Sequence, residues 1–335
     1  MAMTQTPTVI SPMATSSGAY VLHKMLEDRL SCYSVRGYPP KLSFMPFFLP
    51  LFIKTYDADL IHTVPDYGLF FYDPRKPMVT TIHHYMCDGK MDPYSSFLQR
   101  IHYRTDLKWY IKRSLVLSDV ITAVSNYTAM HVRKNIKISQ TIHVIKNGID
   151  ESFFRPFHSR PPSKKLKVLF SGNLTKRKGA QWLPIIAKKL NSGIKINCTG
   201  GFRKEFHNYF SSQINWLGNI EHFEMPSIYG QHDILLAPST REGFGLAIAE
   251  AMACGLPVVA SDCSAIPELI DDSRGGFLCP VGDVECFAKK INLLADSPQT
   301  RLEMGQYNRL KIERYFTVKR MVNEYKKLFE TILVS

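Results

Sequence analysis

Short apolar runs alternate with loops and helical patterns along almost the whole chain, and that alternation leaves few folds open. In the first half, Thr8–Pro12, Leu60–Val64, Met78–Ile82, Ser118–Ser125 and Ile142–Ile145 read as strands. In the second half the series restarts with Lys167–Phe170, Lys195–Cys198, Ile214–Leu217, Ile234–Ala237 and Pro257–Ala260. Strands separated by helical segments are the pattern of a parallel, doubly wound α/β sheet. Between the two series the composition shifts: Arg155-Pro156 and Arg160-Pro161-Pro162 lie in a stretch without periodicity, the best linker in the chain. At 335 residues the chain is too long for one ordinary core. Two domains are expected, residues 1–157 and 158–316, followed by an amphipathic segment with Met321, Tyr325, Leu328, Phe329 and Ile332 on one face.

Charge and cysteine usage narrow the partners. The net charge is +13, shared as +6 in residues 1–157 and +7 in residues 158–335. Such an excess favours anionic partners, nucleotides or phospholipid surfaces among them. Nucleic acid is not expected as a partner, because none of the usual recognition motifs occurs. No apolar run reaches the roughly 18 residues that span a bilayer. Met1–Pro7 has neither a basic nor an apolar region of a signal peptide. The seven cysteines are scattered and form no metal-ligand spacing, which reads as free thiols in a reducing, cytoplasmic setting.

The chemistry concentrates in Glu242-Gly243-Phe244-Gly245-Leu246, which runs into a small-residue helix carrying Glu250 and ending near Cys254. Glycine lets the backbone approach a ligand, and a helix start presents N–H groups and a positive dipole end to an anion. The segment is suited to hold phosphate with amides and a polyol with carboxylates; the plain alternative is a solvated Glu beside a packing helix. In Ser171–Gly179, two glycines frame Lys176, Arg177 and Lys178, a phosphate cradle or an ordinary basic loop. Ala14–Gly18 opens a βα unit with the single Gly18, which is weak evidence beside a simple helix cap. His83 and His84 stand at the C-terminal end of a strand, where open parallel sheets bind ligands. Asp57-Ala58-Asp59 precedes a strand and reads as a solvated start, and no metal site is expected. Phe44–Ile53, broken by Pro46 and Pro50, reads as a buried loop, with an apolar lip for a membrane or lipid as the alternative. Residues 97–117 read as one long helix with basic residues and interleaved aromatics, a solvated face or a contact for an anionic membrane.

As a set, several segments resemble the retaining glycosyltransferases of family 4, which have the GT-B fold. Ile142–Asp150 resembles that family's V-I-P-N-G-V-D linker strand. Gly172–Gly179 looks like its G-R…K-K-G loop, and Ala237–Glu250 is similar to its P-S-x-x-E-G-F-G…E signature. Gly255–Ser261, Ile266–Ile270 and Gly276–Asp283 match the segments that follow.

The resemblance implies two Rossmann-like domains facing across a cleft, an N-terminal acceptor domain and a C-terminal donor domain, with the last helix, 317–335, packing back on the former. It implies a nucleotide-diphosphate sugar as donor, either a UDP- or a GDP-sugar, and a glycan or lipid-linked acceptor, with no cofactor and no metal. By position, Glu250 matches the glutamate that holds the ribose hydroxyls and Glu242 the one near the donor sugar. The amides of Phe244, Gly245 and Leu246 match those facing sugar and diphosphate, Lys178 the lysine that neutralises the diphosphate, and His83 the histidine near the anomeric centre. Asn173 stands where the family commonly has arginine, so one diphosphate cation is missing unless Lys176 or Arg177 reaches in. Gly18 stands alone where members carry two or three glycines. The expected activity is metal-independent hexosyl transfer with retention in cell-surface polysaccharide or glycolipid synthesis, in the cytoplasm or at the inner membrane face. The alternative is a catalytically impaired nucleotide-sugar-binding scaffold of the same fold.

Overall fold

The structure, a computed structural model, describes residues 7–15, 17–89, 91–156, 166–201, 206, 208 and 211–334. The chain forms two compact units, residues 1–148 with 318–335, and residues 149–317. The linker expected between Asp150 and Ser163 lies outside the described residues from 157 onward. Ile149 belongs to the second unit, its N–H donating to the Phe316 carbonyl at 2.8 Å.

The first unit is a six-stranded parallel sheet in the order β2-β1-β3-β4-β5-β6. Its strands are β1 (Val9–Ala14), β2 (Tyr33–Tyr38), β3 (Leu60–Thr63), β4 (Met78–Ile82), β5 (Val120–Ala123) and β6 (Ile142–Val144). The central strands β3 and β4 are buried at every position, as strands covered on both faces must be. The C-terminal helix Val318–Val334 belongs to this unit and buries Met321, Tyr325 and Phe329.

The second unit repeats the plan in the order β12-β11-β10-β7-β8-β9, again with parallel pairing throughout. Its strands are β7 (Lys167–Phe170), β8 (Lys195–Thr199), β9 (Ile214–Gly218), β10 (Ile234–Ala237), β11 (Val258–Ser261) and β12 (Gly276–Cys279). The chain runs outward from β7 to β9, then returns to lay β10 on the other side of β7. The β7/β10 pair is therefore the topological switch point, where the loops at the carboxyl ends diverge and leave a crevice.

Three expectations need correction. The edge strands β2 and β12 were not read as strands; Arg36 and Gly37 interrupt the apolar run of β2, and Arg36 turns out to pair with Asp57. The helix expected over 97–117 is two helices, Phe97–Arg104 and Asp106–Leu117. Thr105 breaks them with non-helical φ −109° and ψ −99°, its hydroxyl donating back to the Ile101 carbonyl. Finally, Phe44–Ile53 is not a buried loop. It forms short turns and the four-residue helix Leu49–Phe52, in which Pro46 and Leu49 face inward while Phe44 is 87% and Leu51 72% exposed.

Candidate functional site

At the switch point of the second unit the loops after β7 and β10 are clamped together. Gly179 takes a left-handed φ of +81°, and a Cβ there would lie 2.0 Å from the Pro238 carbonyl oxygen, so only glycine fits. The Thr240 N–H and hydroxyl both donate to the Arg177 carbonyl, at 2.8 and 3.1 Å. Thr175 caps the short turn Lys176–Lys178 by accepting from the Lys178 N–H. These contacts aim Lys178 across the crevice.

There its Nζ donates to Glu242 Oε1 at 2.7 Å, and Ser239 Oγ donates to the same oxygen at 2.8 Å. The Arg177 guanidinium lies 3.6 Å from Glu242 Oε2 and donates to the Arg241 carbonyl. Burial pushes the Glu242 carboxyl up, but the charges of Lys178 and Arg177 outweigh it and hold the group at about 2. Glu242 is thus a fixed anion with both oxygens engaged.

The helix Leu246–Ala253 starts just beyond, with Gly245 at φ +103° and no side-chain cap. The first N–H groups of a helix have no intrahelical acceptor, so this end offers amides and a positive dipole to the crevice. The crevice is lined by Ser171, Lys178, Ser239, Glu242, Gly245 and Ala247. One turn into the helix, Glu250 accepts a 2.8 Å hydrogen bond on Oε2 from the Tyr229 hydroxyl, which also meets Ser171 Oγ at 3.1 Å. Burial drives the Glu250 carboxyl up to about 7, against the opposing pull of the Tyr229 hydrogen bond and the Lys178 charge. His222, its ring stacked on Phe153, lies 3.9 Å from Glu250 Oε1.

The structure therefore brings together Lys178, Glu242, Gly245, Leu246 and Glu250. Phe244 is buried with its ring 5.8 Å from Phe316, so only its main chain is available to a ligand. Asn173 Oδ1 accepts from the Gly201 N–H at 2.8 Å and ties the β7 loop to the β8 loop. Arg177, not Asn173, supplies the second cation beside Lys178, while Lys176 is exposed. In the first unit, Gly18 is the first residue of the helix Gly18–Glu27, capped by Ser17. His83 follows β4, its Nε2 3.4 Å from Nε2 of His23 on that helix. Asp57 and Asp59 have separate duties, Asp57 pairing with Arg36 and Asp59 accepting from the Thr8 N–H. Tyr229 had no local signal in the sequence as a site residue, whereas Arg177 stood in the basic loop and Ser239 in the signature segment; the return of β10 beside β7 gathers all three.

Residues 6–153 match the family model "Glycosyltransferase Family 4", and residues 152–311 match "Glycosyl transferases group 1". The chain belongs to the family 4 glycosyltransferases. Over 242 residues it is 25% identical to N-acetyl-alpha-D-glucosaminyl L-malate synthase of Bacillus anthracis, covering 67% of this chain and 62% of that one, less than two thirds of the relative. Its fold is that of sucrose-phosphate synthase from Thermosynechococcus elongatus, with a TM-score of 0.83 at 17% identity over 98% of this chain and 100% of the other. It is also that of Anabaena HepE in complex with UDP and glucose, with a TM-score of 0.79 at 16% identity over 97% and 100%. The two sheets thus match the GT-B architecture.

A pH test follows from the contrast between the two carboxylates. Glu250 has its folded pKa raised to about 7, so its contribution to stability is present below its unfolded value and is lost as pH rises through about 7. Glu250→Gln keeps an acceptor for Tyr229 but cannot ionise. The ligand-free variant should melt higher than the parent at pH 8, by a few degrees, and close to it at pH 5, as read by thermal denaturation. A difference independent of pH contradicts the burial of this carboxylate.

Proposed function

We propose that this glycosyltransferase moves a hexose, with retention at the anomeric carbon, from a UDP- or GDP-sugar to a hydroxyl of a glycan or lipid-linked acceptor in cell-surface polysaccharide or glycolipid synthesis. The observation that carries the reading is the crevice at the β7/β10 switch point. There Lys178, Arg177 and an uncapped helix start converge, with one carboxylate on each side. A diphosphate entering it offers Lys178 a second anion beside Glu242, and the helix amides take the remaining oxygens. Glu250, with Oε2 held by Tyr229, turns its other oxygen to ribose hydroxyls. Glu242 takes the sugar side and, following the family resemblance, His83 acts at the anomeric centre.

Retention is taken from the family resemblance, and the state of Glu242 bears on its route. A carboxylate whose oxygens are engaged by Lys178, Ser239 and Arg177 is a poor nucleophile. A front-face substitution, in which the leaving diphosphate is stabilised by Lys178 and the helix start, fits better than a covalent intermediate. That chemistry needs no metal and no cofactor. The scaffold alternative was motivated by Asn173; the position of Arg177 beside Glu242 restores the cation count and weighs against it.

Purified protein supplied with UDP- and GDP-sugars should hydrolyse one of them slowly without acceptor. Hydrogen bonds to a charged group are worth about 1.5–3 kcal/mol, so Glu250→Gln should weaken the donor by roughly 10- to 100-fold. Lys178→Ala should lower kcat further while donor turnover in the parent persists. Undiminished turnover in both variants would falsify the site, and absence of any turnover in the parent favours the scaffold.

The acceptor is proposed to be met at a membrane. Phe44, Phe47, Leu51 and Phe52 are exposed together, and the Phe47 ring abuts Phe70, which abuts Tyr110 next to exposed Trp109. The helices Phe97–Arg104 and Asp106–Leu117 add Arg100, Arg104, Lys108, Lys112 and Arg113. Apolar rings beside clustered cations suit a surface of anionic lipid. No helix among the described residues is long and apolar enough to cross a membrane. Co-sedimentation at low salt should be greater with vesicles containing phosphatidylserine than with neutral vesicles, and should fall in 0.5 M salt, a concentration chosen to shorten the screening length to about 4 Å. Equal supernatant fractions for both vesicles contradict it.

A further inference from the structure

The first unit contains more buried imidazole than its sheet needs. His23 and His62 are almost fully buried, and half-buried His83 stands beside them. These rings are wired together. His83 Nε2 lies 3.4 Å from His23 Nε2, and His23 Nδ1 lies 2.7 Å from both Ser11 Oγ and Tyr33 Oη. Tyr33 Oη is 2.6 Å from His62 Nδ1, and His62 Nε2 is 2.7 Å from Thr81 Oγ1. Thr81 in turn meets Thr122 Oγ1 at 2.6 Å and Tyr325 Oη of the C-terminal helix at 3.1 Å. The His23 and His62 rings stack at 4.4 Å, and Phe329 closes the cluster against Tyr33 and His62.

Counting hydrogens shows what such a chain does. Burial lowers the pKa of all three histidines, with His62 lowering His23, His83 lowering His62, and His23 and His84 lowering His83, so each ring is neutral. A neutral imidazole has one N–H and one lone pair. The Tyr33 hydroxyl has one hydrogen and stands between two Nδ1 atoms, so it donates to only one of them, and Ser11 Oγ gives His23 Nδ1 a second partner; two arrangements carry the chain from His62 through to His83. When it donates to His62, His23 Nδ1–H donates to Tyr33, and bare His23 Nε2 accepts from His83 Nε2–H. When it donates to His23, every bond reverses and His23 Nε2–H donates to His83 Nε2. In both states His23 decides the tautomer of His83 and leaves His83 Nδ1 as the ring's other polar atom.

We propose that His23 is a positioning residue for glycosyl transfer: its Nε2 contact orients the His83 ring and fixes one of its two tautomers, with His83 Nδ1 left to meet the donor sugar. This rests on the role given to His83 under the proposed function. The remainder of the chain, Tyr33, His62 and Thr81, holds His23 in turn.

The test uses two substitutions that mimic different ring nitrogens. His23→Asn keeps a polar group near Ser11 and Tyr33 but withdraws the partner of His83; His23→Gln reaches the Nε2 position. His23→Asn should lower kcat by roughly 10- to 100-fold with donor KM within about threefold, the scale of a misplaced catalytic group. His23→Gln should recover most of that loss. The double variant with His83→Ala should be no slower than His83→Ala alone, since the two residues act as one unit. Ring nitrogen-15 NMR, with His83 assigned by its loss in His83→Ala, should show one tautomer in the parent and a mixture in His23→Asn. Parent-like kcat in His23→Asn beside an impaired His83→Ala overturns the inference, as do additive losses, or a tautomer mixture already present in the parent. Parent-like turnover in His83→Ala overturns the role of His83 and this inference with it, while a loss in Lys178→Ala would show that the donor site itself stands.

Discussion

The buried pair of Lys178 and Glu242 is the interaction on which the second unit's site depends. Two charges taken out of water cost several kcal/mol each before their attraction offsets it, so such a pair persists only where the surroundings fix its geometry. Here the fixing is done by main chain. Gly179 folds the β7 loop against Pro238, Thr240 donates twice to the Arg177 carbonyl, and the Glu242 N–H donates to Ser264 Oγ at 2.8 Å. The first two of these contacts cross the point where the sheet reverses its order, and the third ties the β10 loop to the loop after β11, so the topology and the ion pair support each other. Under the proposed function, a diphosphate entering the crevice meets cations already aimed at it, with little left to reorganise.

Glu242 and Glu250 sit eight positions apart and their surroundings pull them in opposite directions. Glu242 lies among cations and is held at about 2, while Glu250 lies behind Tyr229 and is lifted to about 7. The first is therefore a constant anion that organises Lys178. The second is a polar group whose charge depends on what binds it, as suits a carboxylate that exchanges burial for ribose hydroxyls. Glu242 lies in the loop just before the helix Leu246–Ala253 and Glu250 lies on that helix, with Gly245 permitting the turn between them.

How much of this was legible followed from how local its cause is. The glycine-bracketed turn, the basic loop and the strand runs are written in consecutive residues, so the two-sheet fold and the set Lys178, Glu242, Gly245 and Glu250 could be read from them. The edge strand β2 was passed over because Arg36 is spent on an ion pair with Asp57, far along the chain. The break at Thr105 hides in a pattern that is otherwise helical on both sides. Exposure of Phe44 and its neighbours could not be read, since apolar composition looks the same in a core and on a lip. Tyr229, Arg177 and the His23–His62 chain act only through partners brought by sheet topology. His23 did leave a trace, a lone histidine among Val21, Leu22, Met25 and Leu26 on the apolar face of its helix.

The central claim is that the crevice at the β7/β10 switch point binds a nucleoside diphosphate through Lys178. Titration calorimetry of the parent and of Lys178→Ala with UDP and with GDP measures this without reference to sugar or acceptor. One of the two nucleotides should bind the parent with a Kd of order 1–100 µM, about −8 to −5 kcal/mol, and bind Lys178→Ala at least about tenfold more weakly. Failure of both nucleotides to bind the parent at millimolar concentration, or equal affinity in parent and variant, would contradict it.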